Sequence, residues 1–258
     1  MTNHIKIAAI GDIHGHYREY LEIIDKLETV HHFDFTKDIV VHLGDYVDGG
    51  PDTYSVIDQL MYFKKTYPHW KFLYGNHEDL MLDALNPQHP VYHDFDLWWN
   101  QGGEDTFDSY LRHMGLNEYE SKIVSPQQAI LQSHIDFLSK LDTYYETDKY
   151  FFVHGGIQPN MSIEDNLNTM SRYDMIWMRE PFISSKWNWG KKIIFGHTID
   201  GNGRYHPTGK ILQPIKKKNK IGLDTFAHNM GYLSAIILPE EKLIKTDWTD
   251  DATKPNEI

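Results

Sequence analysis

The sequence contains no cysteine in its 258 residues, which excludes disulfides, thiolate zinc sites and a cysteine nucleophile together. It also has no run of 18 apolar residues, so no membrane-spanning helix is predicted. Near the start, the apolar run Ile7–Ile10 is too short for the core of a signal peptide, and a cytoplasmic protein is expected. Basic residues are scarce, 25 Lys+Arg against 37 Asp+Glu, for a net charge of -12. A field of that sign repels a phosphate backbone, so neither a nucleic-acid polymer nor a membrane is an expected partner. No repeat is visible, and no stretch rich in glycine, proline or serine marks a linker. A single domain over residues 1–248 is expected, with the polar residues 249–258 as a frayed tail. What the chain has in abundance is histidine, 16 copies of a side chain that binds metals and carries protons near neutral pH.

Short apolar segments alternate with helical periodicity through the first third of the chain. Residues 6–10, 38–43 and 70–74 read as buried strands. Between the first two, Tyr17, Tyr20, Leu21, Ile24 and Leu27 recur at spacings of three and four. After Pro51 and Asp52, Val56, Ile57, Leu60, Met61 and Phe63 form the inner face of a second helix. The βαβαβ order predicts an α/β fold whose first three strands are parallel, with right-handed crossovers. Residues 79–141 read as helical, with breaks near Asn86-Pro87 and Met114-Gly115, and 126–141 is the clearest helix there. Strands return with a hairpin over 143–153 and continue at 192–195, 221–224 and 232–238. The basic run 216–220 reads as a solvated turn between strands.

Each early strand runs into a glycine followed by side chains of metal-ligand type. Asp12 and His14 follow the first, Asp45 and Asp48 the second, Asn76 and His77 the third. His154 and His197 occupy glycine-flanked segments after two later strands. In an open α/β sheet, sites form beyond the carboxyl ends of parallel strands, so these side chains are expected along one rim. Carboxylates, an amide and imidazoles without a thiolate suit manganese, iron or zinc. Two divalent ions held by Asp12, His14, Asp45, Asn76, His154 and His197 would outweigh two carboxylates and a hydroxide. Such a centre attracts phosphate locally although the chain as a whole is acidic. Taken singly, each segment reads more readily as a turn or a helix cap. Five of them in chain order, each at a strand end, are not accounted for by packing needs.

The strings GDIHG (11–15), GDYVDGG (44–50), GNHE (75–78), HGG (154–156) and GHT (196–198) together resemble the phosphoprotein phosphatase family of binuclear metallophosphoesterases. The match runs from residue 5 to about residue 238. Trp-Met-Arg-Glu-Pro-Phe (177–182) and Gly-Gly-Glu-Asp-Thr (102–106) are similar to segments of its bacterial and phage branch, which also holds the symmetrical dinucleoside tetraphosphatases. The resemblance implies the calcineurin-like fold, two mixed β-sheets packed as a sandwich and flanked by helices. It implies Asp12, His14 and a bridging Asp45 around the first metal, and Asp45, Asn76, His154 and His197 around the second. It further implies His77 as general acid, Asp48 orienting the His77 ring, and Arg179 on the phosphoryl oxygens. The implied cofactors are two divalent ions, Mn2+ ahead of iron or zinc. The implied activity is hydrolysis of a phosphomonoester by a metal-bridging hydroxide, foremost as a serine/threonine protein phosphatase acting on phosphorylated protein. The alternative is a symmetrical dinucleoside tetraphosphatase acting on a small phosphorylated substrate, and the last reading is an inactive phosphate-binding scaffold.

One position departs from the family pattern. The common Asp-Arg-Gly is here Asp48-Gly49-Gly50, so an arginine that grips phosphate is missing. A charge-assisted hydrogen bond contributes roughly 1.5–3 kcal/mol, and its loss corresponds to about tenfold to hundredfold weaker binding. Arg18 or Arg204 can substitute, or the substrate is held elsewhere, and Gly49→Arg is expected to lower the KM for simple phosphate esters. Asp224 follows a strand and reads equally as a group orienting a ligand histidine or as a turn cap. Trp98, Trp99, Trp177, Trp187 and Trp189 read as core aromatics ahead of a substrate groove. His206 and His228 are candidate substrate contacts, whereas His4, His31, His32, His89, His93 and His113 receive no role.

Overall fold

The computed structural model describes residues 5–86, 95–116, 118–204, 212–227 and 232–246. His4, His89, His93, His206, His228 and the expected tail 249–258 lie outside the described residues. The strands are β1 (Ile7–Ile10), β2 (Ile39–His42), β3 (Lys71–Phe72), β4 (Tyr144–Glu146) and β5 (Tyr150–Val153) in the first part of the chain. The second part adds β6 (Lys192–Phe195), β7 (Ile215–Lys216), β8 (Lys220–Gly222), β9 (Ser234–Leu238) and β10 (Lys242–Lys245). They form two five-stranded sheets, ordered β10-β9-β1-β2-β3 and β4-β5-β6-β8-β7. In the first sheet β1, β2 and β3 are parallel, as their βαβαβ order predicts, while β9 and β10 run antiparallel. In the second sheet β5, β6 and β8 are parallel, flanked by antiparallel β4 and β7. Both sheets are therefore mixed, and they pack face to face.

The apolar runs of the central strands are continuous because both faces of each are covered. Ala9, Val41 and Ile236 from one sheet meet Phe152, Ile194 and Ile221 from the other in the layer between the sheets. The alternate residues Ala8, Ile10 and Val40 point away from that layer into a helical one. On the far side, Phe151, Val153, Ile193 and Phe195 pack with Phe182 and Trp189. One period-two alternation thus feeds three layers of core.

The helical layer on the first sheet is built from α1 (Tyr17–Asp25), α2 (Thr53–Thr66), α3 (Asn76–Leu85), α4 (Phe95–Trp98) and α5 (Glu104–Met114). Helix α1 buries Tyr20 and Ile24 of the predicted stripe, while Ile23 is buried in place of Leu21, which is exposed. Asp52 caps α2 by accepting the Ser55 N–H at 3.2 Å. Among the described residues, no helix is long and apolar enough to cross a membrane.

Two expectations change, and one strand was not expected. The helix expected over 126–141 divides into Pro126–Ala129 and Gln132–Leu138, with Ile130 extended between them. Ile130 is buried there, so tertiary packing has overridden the periodicity. The basic run 216–220 is a hairpin whose last member is inside the protein. Lys220 is fully buried, its Nζ donating to the Ser185 carbonyl at 3.0 Å and to the Phe182 carbonyl. The Phe182 and Trp189 rings lie 4.4 and 4.9 Å from the same ammonium and replace its lost hydration in part. Finally, β10 has no apolar alternation to announce it, since only Ile244 of its four residues is buried.

Candidate metal centre

Because β1, β2 and β3 run parallel to one another, as do β5, β6 and β8 in the second sheet, their carboxyl ends deliver the glycine-flanked loops to a shared rim. Four of the expected site residues, His14, Asp45, Asp48 and His197, have left-handed backbones with φ of 47, 53, 69 and 59°. Non-glycine residues seldom adopt this region, each at a cost of about 1–3 kcal/mol, and such strain collects at functional sites. Close approach is a second local requirement. A Cβ on Gly75 would lie 2.2 Å from Asp45 Oδ1, so only glycine lets the third loop pass beside this carboxylate.

The expected ligands meet around Asp45. Its Oδ2 lies 3.3 Å from His154 Nε2 and 3.8 Å from His14 Nε2. Asn76 Oδ1 is 2.9 Å from the same His154 nitrogen. Donor atoms of Asp45, His154 and His197 lie within 4.8 Å of one another, as do those of His14, Asp45 and His77. Asp12 joins through the second sheet, its Oδ2 accepting the His197 N–H at 2.8 Å. His14 Nδ1 donates to the Val47 and Asp48 carbonyls, and His154 Nδ1 donates to the Leu43 carbonyl at 2.8 Å. Each bond fixes Nδ1 as a donor and leaves Nε2 as the ring nitrogen that could coordinate an ion.

The donor set fits divalent metal. Asp12 Oδ1 and His197 Nε2 are buried side-chain atoms without a hydrogen-bond partner. Buried polar atoms are normally satisfied, so two such atoms beside a cluster of oxygen and nitrogen donors are those a cation would engage. Electrostatics agree. Burial alone would raise the Asp45 carboxyl, but the imidazoles of His154, His77 and His14 outweigh it and hold the group well below the usual range. Burial, followed by Asp224 and Asp45, pushes Asp12 well above its ordinary value, the response of clustered carboxylates that lack enough positive charge. Burial, His154 and Arg179 hold His197 well below 6.5, which keeps the ring in its neutral, ligating form.

His77 sits at the edge of this cluster, its backbone N–H on Asp45 Oδ1 at 3.0 Å and its Nδ1 on Asp48 Oδ2 at 3.0 Å. Burial disfavours the imidazolium, but Asp45 and Asp48 outweigh it and hold the pKa up to about 9. Asp48 is itself fixed, its Oδ1 accepting from Trp98 Nε1 at 3.0 Å and from the Thr106 hydroxyl at 2.8 Å. Arg179 donates to the His197 carbonyl at 2.8 Å and lines the same cleft of about 460 Å³. Asp224 also lines it, but its Oδ1 accepts the Phe226 N–H at 3.0 Å, which is the turn-capping role of the two expected.

Three residues at the rim carried no role in the sequence. Glu78 is fully buried and accepts the backbone N–H groups of Asp45, Tyr46, Val47 and Gly75 at 2.7–3.3 Å. Its signal was available, because a glutamate three residues after a helix start commonly returns to the capping position. Trp98 and Thr106, which fix Asp48, lie some fifty residues from it and gave no local signal. Trp98 otherwise belongs to the core as expected, and so does Trp189, whereas Trp187 is exposed, its indole N–H on the Met161 carbonyl, against the expectation. Arg204 is not among the residues lining the cleft, and Arg18 lines a neighbouring cavity instead. At the departing position, Gly49 has φ of 80° and donates to the Gly102 carbonyl at 3.2 Å. A Cβ on Gly102 would lie 2.5 Å from Gly49 N, so the two glycines form a backbone-on-backbone contact. Gly49→Arg therefore carries left-handed strain that the sequence did not disclose.

A family model described as calcineurin-like phosphoesterase matches residues 5–232. The symmetrical bis(5'-nucleosyl)-tetraphosphatase of Nitrosomonas europaea is 27% identical over 160 residues, 60% of this chain and 46% of that protein. The chain thus spans about half the length of the curated relatives it matches. Among solved structures, a candidate diadenosine tetraphosphatase superposes with a TM-score of 0.60 at 20% identity, covering 96% of each chain. A protein serine/threonine phosphatase from Saccharomyces cerevisiae follows with 0.52 at 15% identity, over 98% of this chain and 82% of that one. At such identities these two structures speak to the fold alone.

Proposed function

The chain belongs to the calcineurin-like phosphoesterase family, a family of metal-dependent hydrolases of phosphoric esters, and on that premise we propose that it is a binuclear enzyme acting on dinucleoside polyphosphates. The observation that carries the chemistry is the convergence of Asp45, His14, His154 and Asn76 beside the unpartnered buried atoms of Asp12 and His197. Asp12, His14 and Asp45 would hold one divalent ion, manganese foremost, and Asp45, Asn76, His154 and His197 the other. Bound there, the ions would neutralise phosphoryl charge and make water acidic enough to attack near neutral pH.

The protein's own groups do the remainder. His77 holds a proton for the leaving oxygen, and Asp48, braced by Trp98 and Thr106, keeps that ring in one orientation. Arg179 presents a planar donor fork to the phosphoryl oxygens from beside His197. Glycine at position 49 removes a cation that a simple monoester would need, which favours a substrate with further phosphates to grip. The name of the curated relatives supports the same choice. A cytoplasmic setting, where nucleotides are abundant, belongs to this reading.

A second reading, a serine/threonine protein phosphatase, is favoured by one observation. The proton held at His77 suits an alkoxide, which is a poorer leaving group than a phosphate. Assaying manganese-loaded protein with diadenosine tetraphosphate and with a phosphopeptide panel, then repeating with zinc and iron, separates the two. Faster turnover of the dinucleotide is expected, and turnover of phosphopeptides alone would overturn the first reading. A metal-loaded protein inert toward both would leave only an inactive phosphate-binding scaffold.

A further inference from the structure

Beside the metal cleft lies a second cavity of about 730 Å³, lined by His16, Tyr17, Arg18, Ser55, Arg112 and His113 among others. Three segments run from one cavity directly into the other. His14 lines the cleft and His16 the cavity; Gly49 lines the cleft and Pro51 the cavity. Along α5, Asp105 lines the cleft while Ser109 and Arg112 line the cavity. Spacings of four and three residues place these three on one helix face. Burial and Asp108 push the Asp105 carboxyl up while Arg112 and His16 draw it back, so the charges of the two cavities reach one another.

Two arginines, Arg18 and Arg112, line this cavity together with two carboxylates, Asp52, which accepts the Ser55 N–H, and Glu19, 3.5 Å from His16 Nδ1. Arg112 extends from α5 to the Pro51 carbonyl, which sets its guanidinium beside the loop that carries Gly49. Seven residues of helix at 1.5 Å each put roughly 10 Å between Asp105 and Arg112, the reach of a few linked phosphates. At the far end, the His113 ring stacks on Tyr54 at 3.4 Å and 16°, which gives a planar surface suited to a nucleobase.

We propose that this cavity is a second phosphate subsite, in which Arg18 and Arg112 hold the nucleotide leaving group while the attacked phosphorus sits in the metal cleft. The proposal rests on the dinucleotide reading above. In the reaction, water's oxygen bonds to the attacked phosphorus and the bond from that phosphorus to the bridging oxygen breaks. The bridging oxygen leaves with the electron pair as the terminal oxygen of a nucleoside diphosphate, and water's two protons are shared between the products and solvent. Cationic contacts two phosphates away supply the grip that Gly49 does not.

The test uses ADP as the probe, titrated calorimetrically into manganese-loaded wild type, Arg18→Gln and Arg112→Gln. It is paired with the ratio of kcat/KM for diadenosine tetraphosphate to that for p-nitrophenyl phosphate. Arg18→Gln is expected to weaken ADP binding at least tenfold and to lower that ratio by a similar factor, mainly through KM for the dinucleotide. Arg112 also holds the Pro51 carbonyl, so Arg18→Gln decides the matter even where Arg112→Gln disturbs the loop. Unchanged ADP binding and an unchanged ratio in Arg18→Gln, with wild type cleaving the dinucleotide, would overturn the subsite and leave the substrate reading standing. Wild type that cleaves p-nitrophenyl phosphate but not the dinucleotide would overturn both.

Discussion

On the first sheet's side of the rim, loops are tied to one another before any ion is considered. Glu78 gathers four backbone N–H groups from two loops, and Asp48 is bonded to His77, Trp98 and Thr106. On the second sheet's side, His197 has a buried nitrogen without a partner, and the Asp12 carboxylate that reaches over from the first sheet to the His197 N–H leaves its other oxygen, Oδ1, unpartnered. His154 is the exception there, because it reaches across to the Leu43 carbonyl of the first sheet. The difference teaches that protein contacts preorganise one half of the centre, whereas the other half depends on its ligand for satisfaction.

The contrast can be broken most directly at Asp45, which serves both halves. Asp45→Asn is expected to abolish metal binding and lower activity by at least about a thousandfold, since on the proposed ligand set it removes the one group shared by both ions. Metal content by elemental analysis, measured beside turnover, checks this, and retained metal would show that the halves bind independently. Next comes His77→Asn, on the preorganised side. It is expected to keep its metal and lose roughly a hundredfold in rate, most with poor leaving groups. An equal loss with good and poor leaving groups would end the general-acid assignment.

Chelation sharpens the contrast further. Stripping metal with EDTA is expected to raise amide exchange at residues 196–199 several-fold more than at residues 43–48, because the former lie beside the unpartnered side-chain atoms of Asp12 and His197, while the latter are tied by Glu78. An equal rise on both sides would remove the distinction. The last test concerns pH and the first sheet alone, away from the centre. Burial holds His42 down to about 3, against 6.5 in an unfolded chain, with Tyr20 Oη 2.8 Å from its Nε2. The unfolded state takes up a proton below 6.5 that the folded state refuses until about 3. Stability from this group is therefore complete above 6.5 and declines toward 3, by about 1 kcal/mol per pH unit. Urea midpoints against pH for wild type and for the Tyr20→Phe/His42→Phe double variant check it, and parallel curves would refute it.

Much of this fold could be read from the chain because its central strands are buried on both faces and end at glycine. Ile7–Ile10 and Lys192–Phe195 announce themselves as apolar runs, and the loops behind them carry the ligands in order. Edge structure was not legible, since β10 buries a single residue and Lys220, paired with Ile193 on the neighbouring strand, is a lysine turned inward. The polar frame behind the rim was hidden for a different reason. Asp48 finds Thr106 across 58 residues, and no local rule links them. Gly49 shows the same limit, because its departure from the family pattern was visible while its backbone strain was not.

The hydrogen bond between Asp12 and His197 spans 185 residues of sequence. A nascent chain that has released only the first sheet's loops carries part of a donor set and no finished pocket. The full donor set therefore comes together only after the second sheet has docked, and partial products lack it.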